Sequence, residues 1–198
     1  DIQIQRGIGA STTGASAFGA SINLSTLSTI NSNKPYGEIS SSYGSFNSLK
    51  NTVKLGTGLI DGKWNFEGRL SKISSDGFID RSSSDLRSYY LSGSYLGEKT
   101  SIQAVAFSGH EKTHQAWYGI PLSLLNNNSD SAQTYNPYDY DNEIDNYQQS
   151  HYQLHFTNKA SDKLKLNSSF HYTRWKGYFE QYVGSEFNPT MYNGDYTY

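Results

Sequence analysis

The sequence predicts an all-β chain, part of an antiparallel up-and-down transmembrane β-barrel, and three observations predict it. Alternating apolar and polar residues recur in seven stretches between Tyr36 and Trp175. The connectors between them are alternately very short and longer. No stretch approaches the roughly 20 consecutive apolar residues of a membrane-spanning helix. Inside lipid every backbone group must pair internally, so strands cross a membrane only as a closed meander, with tight turns on one rim and long loops on the other.

The chain has 198 residues, a formal net charge of −2, no Cys, four Pro, 18 Gly and 17 Tyr. Its mean hydropathy is −0.69. A hydropathy scan would read such a chain as soluble, but every second residue of a barrel strand faces water and dilutes the average. Near-neutral charge offers no electrostatic ground for nucleic acid as a partner. Without Cys there is neither a disulfide framework nor a Cys-bearing metal site. Asp1 opens the chain without a secretory leader, as an internal fragment or a processed protein would.

The strands follow in order. The first, over 36–43, is weakly patterned, with Ile39 and Tyr43 on one face. In the second, Leu49, Val53, Leu55 and Leu59 share one parity, and Lys50, Thr52 and Lys54 the other. After Asp61-Gly62 the third sets Trp64, Phe66, Gly68 and Leu70 against Asn65, Glu67 and Arg69. Asp-Gly suits a two-residue type I′ hairpin, because both central residues need positive φ. That turn would pair Leu59 with Trp64, Thr57 with Phe66 and Val53 with Leu70, and on the other face Gly56 with Glu67 and Lys54 with Arg69. The two faces, read independently, then agree. Glu67 lies diagonal to Lys54 and could offset the like-charge pair.

In the fourth strand Tyr89, Leu91, Gly93 and Tyr95 oppose Tyr90, Ser92 and Ser94. Gly97-Glu98-Lys99 turns the chain into a fifth, 102–107, whose faces are both apolar, so its parity stays open. Tyr152, Leu154 and Phe156 oppose His151, Gln153 and His155 in the sixth. After a turn at 160–162, Leu164, Leu166, Phe170 and Tyr172 oppose Lys165, Asn167 and His171. The outward sets carry no charge in their central parts, where Lys or Arg facing lipid costs about 2 to 4 kcal/mol. A soluble β-sandwich alternates in the same way. Connector length favours the barrel: the turns at Asp61, Glu98 and Ser161 would be periplasmic. Those near Ser45, Ser82, 113–145 and beyond Tyr178 would be extracellular. The 113–145 loop is of a length uncommon inside compact domains and usually functional.

The first 33 residues differ in character. Gly, Ala and Ser dominate 5–24, which on composition alone reads as a linker. However, Ile2-Gln3-Ile4 and Ile22-Asn23-Leu24 alternate like short strands bracketing the glycines. With Arg6-Gly7, Gly14 and the segment Phe18-Gly19 to Ile22-Asn23, this stretch resembles the end of the plug domain of TonB-dependent outer-membrane receptors. The stretches 107–121, 136–138, 145–149, 151–154 and 171–181 resemble the barrel region of such receptors from Bacteroidetes. Ile8 stands where many members have Pro, and Ala20 where a second Gly is common.

The resemblance implies a plug end over 1–33 and the N-terminal part of a 22-stranded barrel over 34–198. It also implies a bacterial outer-membrane location and energy-coupled import of a scarce solute such as a siderophore, haem, cobalamin or oligosaccharide. The implied partners are the TonB complex, acting through the rest of the plug, outer-membrane lipid and the substrate, and no cofactor is implied. The competing class is a secreted β-rich glycan-binding protein or adhesin. It predicts a second sheet burying Phe66, Leu154 and Leu166.

Within the long loop, Trp117, Tyr118, Tyr135, Tyr138 and Tyr140 could stack on a sugar, chelate or porphyrin, and an aromatic girdle explains some of them equally. Lys50, Lys54, Glu67, Arg69, His155 and His171 have the parity of a wet lumen, where they would meet plug, substrate or water. His110-Glu111-Lys112-Thr113-His114 matches H-E-x-x-H, but a zinc site there needs a helix. In a strand the two His lie roughly 13 Å apart. Asp139, Asp141, Glu143 and Asp145 alternate as Ca²⁺ ligands could, without the glycine of an EF-hand loop. Asn127-Asn128-Ser129 and Asn167-Ser168-Ser169 match glycosylation sequons, which carry little meaning in a bacterial protein. No Ser/His/Asp triad or phosphate-binding loop can be assembled, so neither a catalytic residue nor a metal ligand is assigned.

Overall fold

The structure, a computed structural model, describes residues 2–7, 19–24, 34–126 and 130–182. Two short strands, β1 (Ile2–Arg6) and β2 (Ala20–Leu24), pair antiparallel, with Ile4 opposite Ile22 and Arg6 opposite Ala20. Gly7, at φ +90°, donates its N–H to the Gly19 carbonyl at 2.8 Å. A side chain would strain that backbone. Gly14 and Phe18 lie outside the described residues.

Seven strands follow: β3 (Tyr36–Gly44), β4 (Ser48–Gly56), β5 (Trp64–Ser75), β6 (Ser84–Leu96), β7 (Thr100–His114), β8 (Ile144–Ser161) and β9 (Leu164–Phe179). They pair antiparallel in chain order within one sheet. Two single-turn helices, α1 (Leu122–Leu125) and α2 (Asp130–Gln133), sit in the long loop. No helix among the described residues is long and apolar enough to cross a membrane.

The register sorts the side chains into two faces. One cross-strand row runs Phe66, Gly93, Ala104, Leu154, Phe170, and the next Leu55, Gly68, Leu91, Ala106, Tyr152, Tyr172. The residues expected to bury in a sandwich are open: Phe66 is 47% exposed, Leu154 47% and Leu166 50%, and Trp64 and Leu91 on the same face are open too. The sheet is therefore a single-layer wall. Trp64 packs on Tyr95 at the turn end of this apolar face, and Tyr152 stacks on Tyr172 toward its loop end. From Tyr95 to Tyr89 is about 20 Å of strand, close to the roughly 25 Å apolar band of an outer-membrane barrel with aromatic girdles at both edges.

The opposite face is polar. Thr52 and Ser71 hydroxyls meet at 3.0 Å, Gln103 donates to Ser92 at 3.3 Å, and Thr157 to Asn167 at 2.9 Å. Register resolves the ambiguous strand: Ile102, Ala104 and Ala106 align with Tyr95, Gly93 and Leu91 on the apolar face. Val105 and Phe107 join the polar one.

Some sequence expectations are corrected. Val53 does oppose Leu70, and Lys54 opposes Arg69. Asp61 and Gly62 both have positive φ, with Lys63 donating to the Ile60 carbonyl at 3.0 Å, as a type I′ turn requires. Trp64, however, bridges Ile60 rather than Leu59. Gly58, at φ +64°, absorbs the extra residue as a bulge. Lys54 is ion-paired with Glu38, directly opposite on β3 at 2.9 Å. The β3–β4 connector on the loop rim is also tight. Ser48 donates to Ser45 across Phe46 and Asn47, both left-handed.

Candidate functional site at the loop rim

The wall positions a compact loop cluster beyond the ends of β6, β7, β8 and β9. Gln115 follows directly on β7 and is fully buried. Its backbone N–H donates to the Glu143 carbonyl, and its Nε2 donates to Ile144 at 3.2 Å and Glu180 at 3.0 Å. One side chain thus ties the roots of both ends of the loop to the end of β9.

Asn136 is the second hub. Its Nδ2 donates to the Asp80 and Gln115 carbonyls at 2.8 and 2.9 Å, and its Oδ1 accepts from the Tyr138 N–H. The residue before a proline is held extended, which sets this amide between two loops. Arg81 completes the link from the β5–β6 loop, with Nε to the Tyr138 carbonyl at 2.7 Å and Nη2 to that of Asn136 at 3.2 Å. Buried carbonyls need such partners, since leaving one unmade costs about 1 to 3 kcal/mol.

The loop aromatics divide into a floor and an exposed layer. Tyr138 is buried, and burial together with the neighbouring Tyr118 holds its phenol above the ordinary range. Tyr118 stacks on it at 5.3 Å between ring centres, and Trp117 meets it edge-on at 6.2 Å. Trp117 and Tyr118 are 57% and 64% exposed. Tyr140 lies against Tyr182, and Tyr135 is partly exposed. A flat apolar ligand could stack on Trp117 and Tyr118, whose positions are fixed from below by Tyr138.

The acidic run does not converge. The Glu143 carboxylate is buried and accepts from the Tyr140 and Tyr182 backbone N–H groups, so it serves the loop's own architecture. Asp139 and Asp141 are exposed. No group of three His, Asp or Glu among the described residues could hold a metal ion. The H-E-x-x-H segment is extended within β7, with Glu111 on the face opposite His110 and His114. His110 bonds Asn146 instead.

On the polar face below the cluster, a groove of about 410 Å³ is lined by Ile73, Leu86, Phe107, Glu111, Tyr147 and His151. Phe107 stacks on His151 at 4.5 Å. Lys50, Lys54, Glu67, Arg69, His155 and His171 all have this face's parity. His155 bonds Ser169 and Gln153. Gln115, Asn136 and Arg81 were not apparent as structural hubs from the sequence; only the Asn-Pro pair signals an extended, anchored loop.

Comparison with known proteins follows this geometry. Neither a family model nor a curated relative matches the chain. Among solved structures it resembles the crystal structure of the ferric-catecholate import receptor Fiu from E. coli K12, in its open form, with a TM-score of 0.70 at 17% identity. The match covers 89% of this chain and 28% of that one. The chain thus shares the fold of part of that receptor, a partial antiparallel β-barrel.

Proposed function

We propose that this chain is part of an outer-membrane TonB-dependent importer of a scarce solute. The observation that carries it is a seven-stranded wall with one uncovered apolar face, edged by aromatics, and one polar face. Water is a poor solvent for such a face; lipid is a good one. The two edge strands, β3 and β9, are where the other strands of a closed barrel would attach. Residues 1–33 form the end of the plug, with Arg6, Gly7, Gly19, Ile22 and Asn23 at its β1–β2 pair. Residues 34–198 form the N-terminal part of the barrel.

Lys50, Lys54, Glu67, Arg69, His155 and His171 then face the lumen, and the loop cluster lies outside the cell. Trp117, Tyr118, Tyr135 and Tyr140 meet the substrate at the entrance, with Tyr138 as their support. The fold likeness makes a ferric catecholate the first substrate to test, alongside haem, cobalamin and oligosaccharides.

The test uses the complete receptor in its outer membrane. We expect TonB-dependent uptake of one of these solutes, and quenching of Trp117 fluorescence when it binds to the purified receptor. Replacement W117A should weaken binding by about tenfold, the loss of one stacking contact of about 1 to 1.5 kcal/mol. A receptor found in the soluble fraction without detergent would overturn the proposal.

A further inference from the structure

The polar face of the wall is not uniform along its strands. Its turn-side half carries Asn65, Glu67, Ser92, Ser94 and Gln103, whereas its loop-side half carries Ile73, Leu86, Phe107, Tyr147, Trp175 and Phe179. The groove of about 410 Å³ below the loop cluster lies in this second half, within the roughly 300 to 1,000 Å³ common for small-molecule sites. Phe179 meets Trp117 edge-on at 6.0 Å between ring centres. The exposed aromatic layer of the cluster therefore continues down the wall.

Two carboxylates stand among these rings. Register places Glu111 between Leu86 and Tyr147, and Asp145 between Thr113 and Phe179 in the next row toward the loops. The two are diagonal neighbours on one face, with backbones roughly 7 to 8 Å apart. Both residues are half-buried, and neither carboxylate has a hydrogen bond or an ion pair among the described residues. A charge held beside apolar groups without a partner is unfavourable, so this pair would gain from a cation. The wall does not bring one close. Lys112, Arg174 and Lys176 have the opposite parity. Lys50, in the row of Glu111, is three strands away, roughly 14 Å at the usual strand spacing.

The rim above the groove has the same sign. The long loop over 115–143 contains Asp130, Asp139, Asp141 and Glu143 and no Lys or Arg. Arg81, from the β5–β6 loop, directs its Nε and Nη2 to two carbonyls. Carboxylates lining a cleft with low-dielectric walls concentrate cations there, and the faces of aromatic rings attract them further. Two glycines shape the space itself. A Cβ on Gly109, in the groove floor, would meet nothing within 4 Å, whereas one on Gly177 would lie 2.8 Å from the Tyr147 ring. The first leaves the floor open, and the second lets the tyrosine ring lie across β9.

We infer that this groove takes a ring-bearing organic cation, with its positive charge beside Glu111 and Asp145 and its ring against Tyr147 and Phe179. The inference rests on the import reading above and names the charge of the solute at that entrance. An anionic chelate would meet the same two carboxylates and be repelled. A neutral ring would keep the stacking contact and lose the charge-assisted one.

The test is isothermal titration calorimetry of the complete receptor in a mild uncharged detergent, with benzyltrimethylammonium as probe and benzyl alcohol and benzoate as its neutral and anionic comparisons. We expect the cation to bind about tenfold more tightly than benzoate, and E111Q and D145N each to weaken it about fivefold while leaving benzyl alcohol unchanged. E111D, which keeps the charge, should retain most of the binding. G109V fills the groove floor with a residue that suits a strand, and should weaken the cation and the alcohol alike. D162N, at the turn rim, should change nothing. No binding of the cation, or equal affinity for the cation and benzoate, would overturn the proposal. So would an unaltered cation affinity in both the E111Q/D145N double variant and G109V, the result expected if the plug covers this half of the face. A receptor that gathers no detergent belt at all would instead remove the outer-membrane reading itself, so the two failures are distinguishable.

Discussion

The wall and the loop cluster solve the problem of burial in opposite ways. In the wall, large apolar side chains such as Leu91, Leu154 and Phe170 remain exposed, and the buried positions are small and polar: Thr52, Asn65, Ser94 and Ser108. In the cluster Gln115, Asn136, Tyr138 and Glu143 are buried; hydrogen bonds hold Gln115, Asn136 and Glu143, and Tyr138 adds ring contacts with Tyr118 and Trp117. The wall leaves its large apolar side chains uncovered by the chain, whereas the cluster encloses its own polar core. Mutations should therefore distinguish the two regions by type: charge breaks the wall from outside, and loss of a single amide breaks the cluster from inside.

The largest expected effect lies on the wall. Leu91→Arg places a cation in the middle of the apolar face, at an expected cost of about 2 to 4 kcal/mol in bilayers. Ser92→Arg, one residue on and facing the other way, should cost far less. Urea unfolding of the complete receptor in liposomes measures both. Equal losses would mean that the two faces share one environment.

Asn136→Ala tests the cluster. It removes donors from the Asp80 and Gln115 carbonyls and an acceptor from the Tyr138 N–H, of which the groups on Gln115 and Tyr138 are buried. The expected local destabilisation is about 1 to 3 kcal/mol. Hydrogen exchange should accelerate across 115–143 and leave β5 and β6 unchanged. Acceleration spread through the wall would show that cluster and wall open together.

Sequence reading recovers these two regions unequally, for physical reasons. Period-two alternation states the face of β5 and β6 outright, and the Asp61-Gly62 pair locates the β4–β5 hairpin. Ala104, Val105, Ala106 and Phe107 are apolar on both parities, so only pairing with β6 and β8 assigns their faces. The β3–β4 turn carries no comparable sequence signal, because left-handed Phe46 is unfavourable locally. Tertiary contacts hold it: its carbonyl accepts from the Asp76 N–H at 2.8 Å, and its ring meets Phe78 edge-on. That turn fixes which β3 residue faces Lys54, and so the Glu38 partner stays hidden in the sequence. Loop aromatics are legible as a set, but their division into buried Tyr138 and exposed Trp117 and Tyr118 depends on Asn136 and on Arg81, which is remote in the chain.

A smaller effect sharpens the view of the cluster as polar and directional. Arg81→Lys keeps the charge but loses the fork that reaches two carbonyls at once. About 1 kcal/mol of local stability should be lost, as for one net hydrogen bond, with faster exchange near 134–138. Full retention with Lys would show that charge alone holds the loop.

The smallest effect returns to the wall's polar face. Lys54 and Glu38 form a pair with 40% and 52% of their side chains exposed, and exposed pairs contribute about 0 to 1 kcal/mol. Lys54→Ala should therefore change the unfolding midpoint little, and less still at high salt, where screening already weakens the attraction. Arg69, directly opposite Lys54, gives the variant a compensating benefit, because removing one of two adjacent cations relieves repulsion across β4 and β5. A loss on the scale of Leu91→Arg would mean that the pair is shielded in the complete barrel, with the plug rather than water against it. The same substitution thus reports on what lies against the polar face beside β3.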